Sequence, residues 1–163
     1  MVVDRHRTLR RRYTSLGTGE LAAAAVFAAI AVSGLLPVTS TRDGALALWS
    51  ALAPLLVILV QAGVYWLSAR GWAGRTPMPR RVAATYRALR VLDPVLLAAG
   101  LIGVIVWLPA GAGALLVVGV WLFGVVEYLN YFVVRLSYPF HRWAALVTQW
   151  RTPRLVADLR ESE

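Results

Sequence analysis

Residues 45–69 run for twenty-five positions without a formal charge. As a helix rising about 1.5 Å per residue, such a stretch crosses the ~30 Å hydrocarbon core of a bilayer with length to spare. Three further apolar blocks follow the same plan, at residues 20–38, 94–110 and 112–138. The block at 94–110 only just reaches across, and it can begin earlier with a kink at Pro94. Apolar residues here form blocks instead of one-sided stripes, which is the pattern of membrane spans and not of soluble amphipathic helices. The composition agrees: 59% of residues are hydrophobic and 15% are charged, with a mean hydropathy of +0.64, where soluble domains carry about 25% charged residues.

Four spans joined by short connections predict an all-α integral membrane four-helix bundle, one polytopic domain over residues 1–163. Thr18 is the expected cap of the first span, with Glu20 at the positive end of its dipole. Asp93 followed by Pro94 reads as an N-cap with proline at the first helical position of the third. No repeat links spans one and two to spans three and four. The external connections, around "TSTRDG" and Gly111, are too short to fold by themselves.

Every basic residue is an arginine, and their placement sets the orientation. Sixteen of the 17 fall in the tail at 1–19, the loop at 70–93 and the region from Arg135 onward, leaving Arg42 alone on the other side. Positive charge is retained on the cytoplasmic side, so both termini are expected there. Exclusive use of arginine fits a GC-rich bacterial genome, hence an inner (plasma) membrane. The basic start reads as a topology anchor in preference to a cleaved signal peptide. A net charge of +9 in a soluble chain would point to nucleic acid. Beside hydrophobic spans it points to anionic lipid headgroups, and no nucleic-acid partner is expected.

Two cytoplasmic stretches carry the basic surface. In the loop, Val82, Tyr86, Leu89 and Leu92 share one helical side while Arg80, Arg81, Arg87 and Arg90 are available to headgroups. In the tail at 139–163, Phe140, Trp143, Val147 and Trp150 recur at helical steps before Pro153. Both are expected to be short amphipathic helices lying in the interface. Small residues at Ala25, Ala29 and Ser33, and at Gly100 and Gly103, are expected to let the helices of the bundle approach closely.

The chain has no cysteine, which excludes disulfides, thiolate catalysis and zinc–thiolate or iron–sulfur sites. His6 and His141 have no ligand spacing, and no hydrolase or metal motif is present. No catalytic residue, metal or cofactor is therefore expected. One feature does call for chemistry. Glu127 lies inside the fourth span, with Asn130 and Tyr131 three and four residues on and so on the same face. In the second span Gln61, Tyr65 and Ser68 also share a face. Gln61 lies nine residues before Arg70 and Glu127 eight before Arg135, which puts both groups at about 12–14 Å above the first arginine. A carboxylate at that depth needs a proton, a partner or a hydrogen-bond cluster. Glu127, Asn130, Tyr131, Gln61 and Tyr65 are thus the candidate intramembrane cluster, and Asp93 with Arg135 the candidate ion pair at the inner boundary. The expected role is non-catalytic, the binding of a lipid or a membrane partner, including a second copy. The alternative is a proton-linked carrier of a small cation or amphiphile, working as an oligomer.

Overall fold

The computed structural model of the protein describes residues 2–72, 76–134 and 152–162, with side chains from residue 7 onward. Among these residues the chain is all helical: α1 (Val2–Val32), a 3-10 turn (Pro37–Ser40), α2 (Arg42–Ala69), α3 (Arg80–Val106), α4 (Ala112–Phe132) and the short α5 (Arg154–Glu161). The helices α1 to α4 are each long and apolar enough to cross a membrane.

The second helix is the hub. It packs against α1, α3 and α4, and it holds most of the fully enclosed side chains, among them Leu55, Ile58, Leu59 and Tyr65. Tyr13 on α1 faces Trp66 on α2 at 5.1 Å between ring centroids, and Gly17 faces Gly63, so α1 and α2 are antiparallel. Gly103 meets Ser50, and Asp93 meets Gln61, so α3 also runs against α2. Gly124 meets Leu55 and Tyr131 meets Trp66, so α4 runs with it. The outer faces of α3 and α4 remain widely apolar and exposed, with Ile102, Ile105, Leu115 and Leu122 all turned outward.

Two expected helix starts lie inside longer helices. Leu9, Tyr13 and Leu16 recur at four- and three-residue steps, with Tyr13 buried and Leu16 half-buried, so the apolar stripe of the first span continues back through the basic tail. Thr18 is accordingly not a cap. Its hydroxyl donates back to the Thr14 carbonyl at 2.9 Å, as a threonine inside a helix does. The first span also ends earlier than expected, at Val32. Beyond it the chain turns at Gly34, whose φ of +73° suits glycine, and Thr41 caps α2 by accepting from the Gly44 amide at 3.1 Å.

The segment expected to lie flat in the interface, with Val82, Tyr86 and Leu89, is the first half of α3. The Asp93–Pro94 pair sits within that helix, not at its start. Pro94 has no N–H to offer the carbonyl of Arg90, which normally ends or kinks a helix. Here the Tyr128 hydroxyl on α4 donates to that carbonyl at 3.2 Å, and the helix continues. Pro54 leaves the carbonyl of Ser50 in the same position. Gly100 packs against it so closely that a Cβ would stand 2.5 Å from the oxygen. Gly100 and Gly103 are thus the close-approach residues. Ala25, Ala29 and Ser33 are exposed, and the buried face of α1 is instead the one carrying Ala24 and Ala31. The stripe of small residues on α1 faces away from the bundle because Phe27 and its neighbours occupy the packed side.

Residues 135–138 of the fourth span, Arg135 among them, and the expected tail helix at Phe140–Trp150 lie outside the described residues.

Candidate functional site

The antiparallel arrangement gathers the described arginines, Arg42 excepted, toward the end of the bundle where α1 begins and α2 ends. It also sorts the polar side chains of the spans into three groups.

The first lies between α1, α2 and α4. The Tyr131 hydroxyl donates to Glu20 Oε1 at 2.5 Å and receives the Trp66 indole N–H at 3.3 Å. Glu127, half-buried, accepts from Asn130 one turn on and stands in the field of Glu20. Two carboxylates from facing helices therefore share one polar region. Beside it a cavity of about 260 Å³ opens toward the arginine-rich end, lined by Arg12, Glu20, Asn130, Tyr131 and Arg154.

The second lies between α2 and α3. The Gln61 amide donates to Asp93 Oδ2, and the Tyr86 hydroxyl donates to the Gln61 backbone carbonyl at 2.7 Å. Asp93 is fully buried. Gln61 also lines an apolar groove of about 600 Å³ with Val57, Val60, Val64, Thr85 and Leu89. The groove opens sideways, and the three valines that α2 gives it are 39–47% exposed, the surface that bilayer chains would meet.

The third closes the end of the bundle. Asp158 on α5 is buried and accepts from the Tyr65 hydroxyl at 2.9 Å and the Trp72 indole at 3.3 Å. Its other oxygen lies 2.8 Å from Arg154 Nε. Desolvation opposes the charge on Arg154, but Asp158 and the nearby Tyr13, Tyr65 and Glu161 more than offset it and push its pKa up. At the far end of α5, Arg87 donates to the Leu159 carbonyl at 3.3 Å and to Ser162 Oγ at 3.2 Å, so a cation from α3 meets one of the last carbonyls of that helix.

The five residues of the expected cluster are therefore divided. Glu127, Asn130 and Tyr131 stay together and take Glu20 as their companion. Gln61 bonds to Asp93, and Tyr65 bonds to Asp158. Equal depth is shared by two different sides of α2, and depth alone does not say which side. Asp93 is partnered by an amide, and Arg135 is outside the described residues. Of the headgroup candidates, Arg80, Arg81 and Arg90 are exposed, while Arg87 is tied to α5.

Sequence reasoning passed over Glu20, Trp66, Trp72 and Asp158. Glu20 is hidden by its plausibility as a helix-start acid. Asp158 carries a readable signal, since "RLVADLRE" places Leu155, Val156 and Leu159 on one side with the aspartate among them. Among the described residues no group of three or more acidic or histidine side chains is placed to hold a metal ion.

Compared with known proteins, the chain matches no family model, no curated sequence and no solved structure. The functional reading rests on the residues themselves.

Proposed function

We propose that this protein is a non-catalytic multi-pass protein of the bacterial inner membrane, with both ends cytoplasmic, that binds an anionic lipid along the groove between α2 and α3. The observation that carries this reading is the groove itself. Its volume of about 600 Å³ falls in the range of about 300–1,000 Å³ typical of small-molecule sites. Val57, Val60, Val64, Val82 and Leu89 offer an acyl chain an apolar bed. Arg81 lies one turn before Thr85 on the same face of α3, where a phosphate would follow the chain out of the core. Each arginine near the surface adds about 1 kcal/mol of attraction for anionic headgroups.

The test is retention of lipid through purification from membranes of phosphatidylethanolamine and phosphatidylglycerol, read by native mass spectrometry. Val60→Trp fills the groove and should lower the retained lipid, while Leu115→Trp on the outer face of α4 should not. Replacing Arg80 and Arg81 with Gln should reduce the preference for phosphatidylglycerol. Equal retention in Val60→Trp and wild type overturns the reading.

A second reading draws on the Glu20–Glu127 region and its cavity of about 260 Å³. Paired carboxylates within spans commonly mark proton or cation pathways. In a proton-linked carrier, Glu127→Gln would leave the fold intact and abolish cation-coupled uptake in vesicles. Uptake absent in the wild type removes this alternative.

A further inference from the structure

Asp93 and Gln61 leave two acceptors unaccounted for. The Gln61 side-chain amide donates to Asp93 Oδ2, yet Gln61 Oε1 and Asp93 Oδ1 are both buried and neither receives a hydrogen bond. These are the remaining atoms of the same two planar groups. An ionised aspartate only accepts, and the amide oxygen only accepts, so the pair as a carboxylate and an amide leaves two lone-pair groups away from water with no donor for either. Buried polar atoms in native structures are nearly always partnered.

One proton on Oδ1 satisfies both atoms. The acid O–H then donates to Gln61 Oε1 while Gln61 N–H donates to Oδ2, closing a two-bond ring between a carboxylic acid and a primary amide. We propose that Asp93 is a proton-binding site, held as the neutral acid in a cyclic pair with Gln61 that joins α3 to α2. The surroundings fit a neutral group. From α2 it faces Gln61, which is uncharged. From α4 it faces Tyr128, whose hydroxyl is committed to the Arg90 carbonyl. On its own helix Tyr86 is committed to the Gln61 carbonyl, and Arg90 is exposed. Among the described residues no arginine forms an ion pair with Asp93. The site adjoins the lipid groove, which Gln61 also lines, but the protonation of Asp93 is read independently of any bound lipid.

Infrared spectroscopy of the full chain in lipid vesicles, with aspartate labelled by carbon-13, tests this directly. At neutral pH the wild type should show a carbonyl band of a protonated, hydrogen-bonded aspartic acid that shifts on deuteration. Asp93→Asn should abolish that band and keep the wild-type thermal midpoint, because the asparagine amide offers the same donor and acceptor to Gln61. Gln61→Leu should keep the band but move it toward the frequency of a free acid. The reading is overturned if the labelled wild type shows only carboxylate bands at neutral pH, or if the acid band survives Asp93→Asn. Because the wild-type spectrum decides alone, failure of either variant to fold does not protect the proposal.

Discussion

The hydroxyl of Tyr65, near the C-terminal end of α2, donates to Oδ2 of Asp158 on α5 at 2.9 Å. A bond from the hub helix to a terminal segment 93 residues later fixes that segment across the end of the bundle. A hydrogen bond to a charged group contributes about 1.5–3 kcal/mol. Tyr65→Phe leaves the Trp72 bond in place, so the docking of α5 should weaken by about 1–2 kcal/mol. Asp158→Ala strands two buried donors and Arg154 and should weaken it further. Amide hydrogen exchange over residues 154–161 reads both effects, and unaltered exchange in Asp158→Ala would refute the seal.

The relation of Tyr128 to Pro94 predicts a coupling. With proline present, Tyr128→Phe leaves the Arg90 carbonyl without its donor and should cost about 1 kcal/mol. Pro94→Ala restores an intrahelical N–H for that carbonyl, so the same tyrosine change should then cost much less. A double-mutant cycle in thermal unfolding should give an interaction energy of about 0.5–1 kcal/mol. Strict additivity would show that the hydroxyl does not sustain the helix.

Close approach of α3 to α2 makes Gly100 intolerant of a side chain. Gly100→Ala would bring a Cβ to 2.5 Å from the Ser50 carbonyl oxygen and 3.0 Å from Pro54. Overpacking of that kind costs about 1–3 kcal/mol. At Gly119, on the outer side of α4, a Cβ would meet nothing within 4 Å, and Gly119→Ala should be neutral or gain up to about 1 kcal/mol of helix propensity. Equal effects at the two sites would contradict the packing.

The arginine asymmetry predicts sidedness. Reporters fused after residue 163 and inserted near Gly74 should behave as cytoplasmic, and one near Asp43 as external. A periplasm-active reporter after residue 163 would overturn the orientation.

The four helices were legible because apolar length is a property of consecutive residues. Their ends were less so, since Thr18 and the Asp93–Pro94 pair have the chemistry of helix starts. Only a neighbour's contribution, the Tyr128 hydroxyl at the Arg90 carbonyl, tells an internal proline from an initial one. The site followed the same division. Helical angles kept Glu127, Asn130 and Tyr131 together because they share one helix. They did not reveal Glu20 as their companion, because rotation of one helix against another is set by packing. Gln61 and Tyr65 share a face, but four positions along a helix changes the level at which each meets its neighbours. One reaches Asp93 and the other Asp158.

The position of α2 as the common partner has a consequence for biosynthesis. Chains fold from the N-terminus as they are made, and α2 emerges directly after α1. Each later helix then arrives at a surface that already exists: α3 at Ser50 and Pro54, α4 at Leu55 and Trp66, and α5 at Tyr65. The contacts of α2 can thus form in chain order, with that of α5 across the end of the bundle the last of them; the Arg90 carbonyl on α3, by contrast, waits for a later helix, for the Tyr128 hydroxyl of α4.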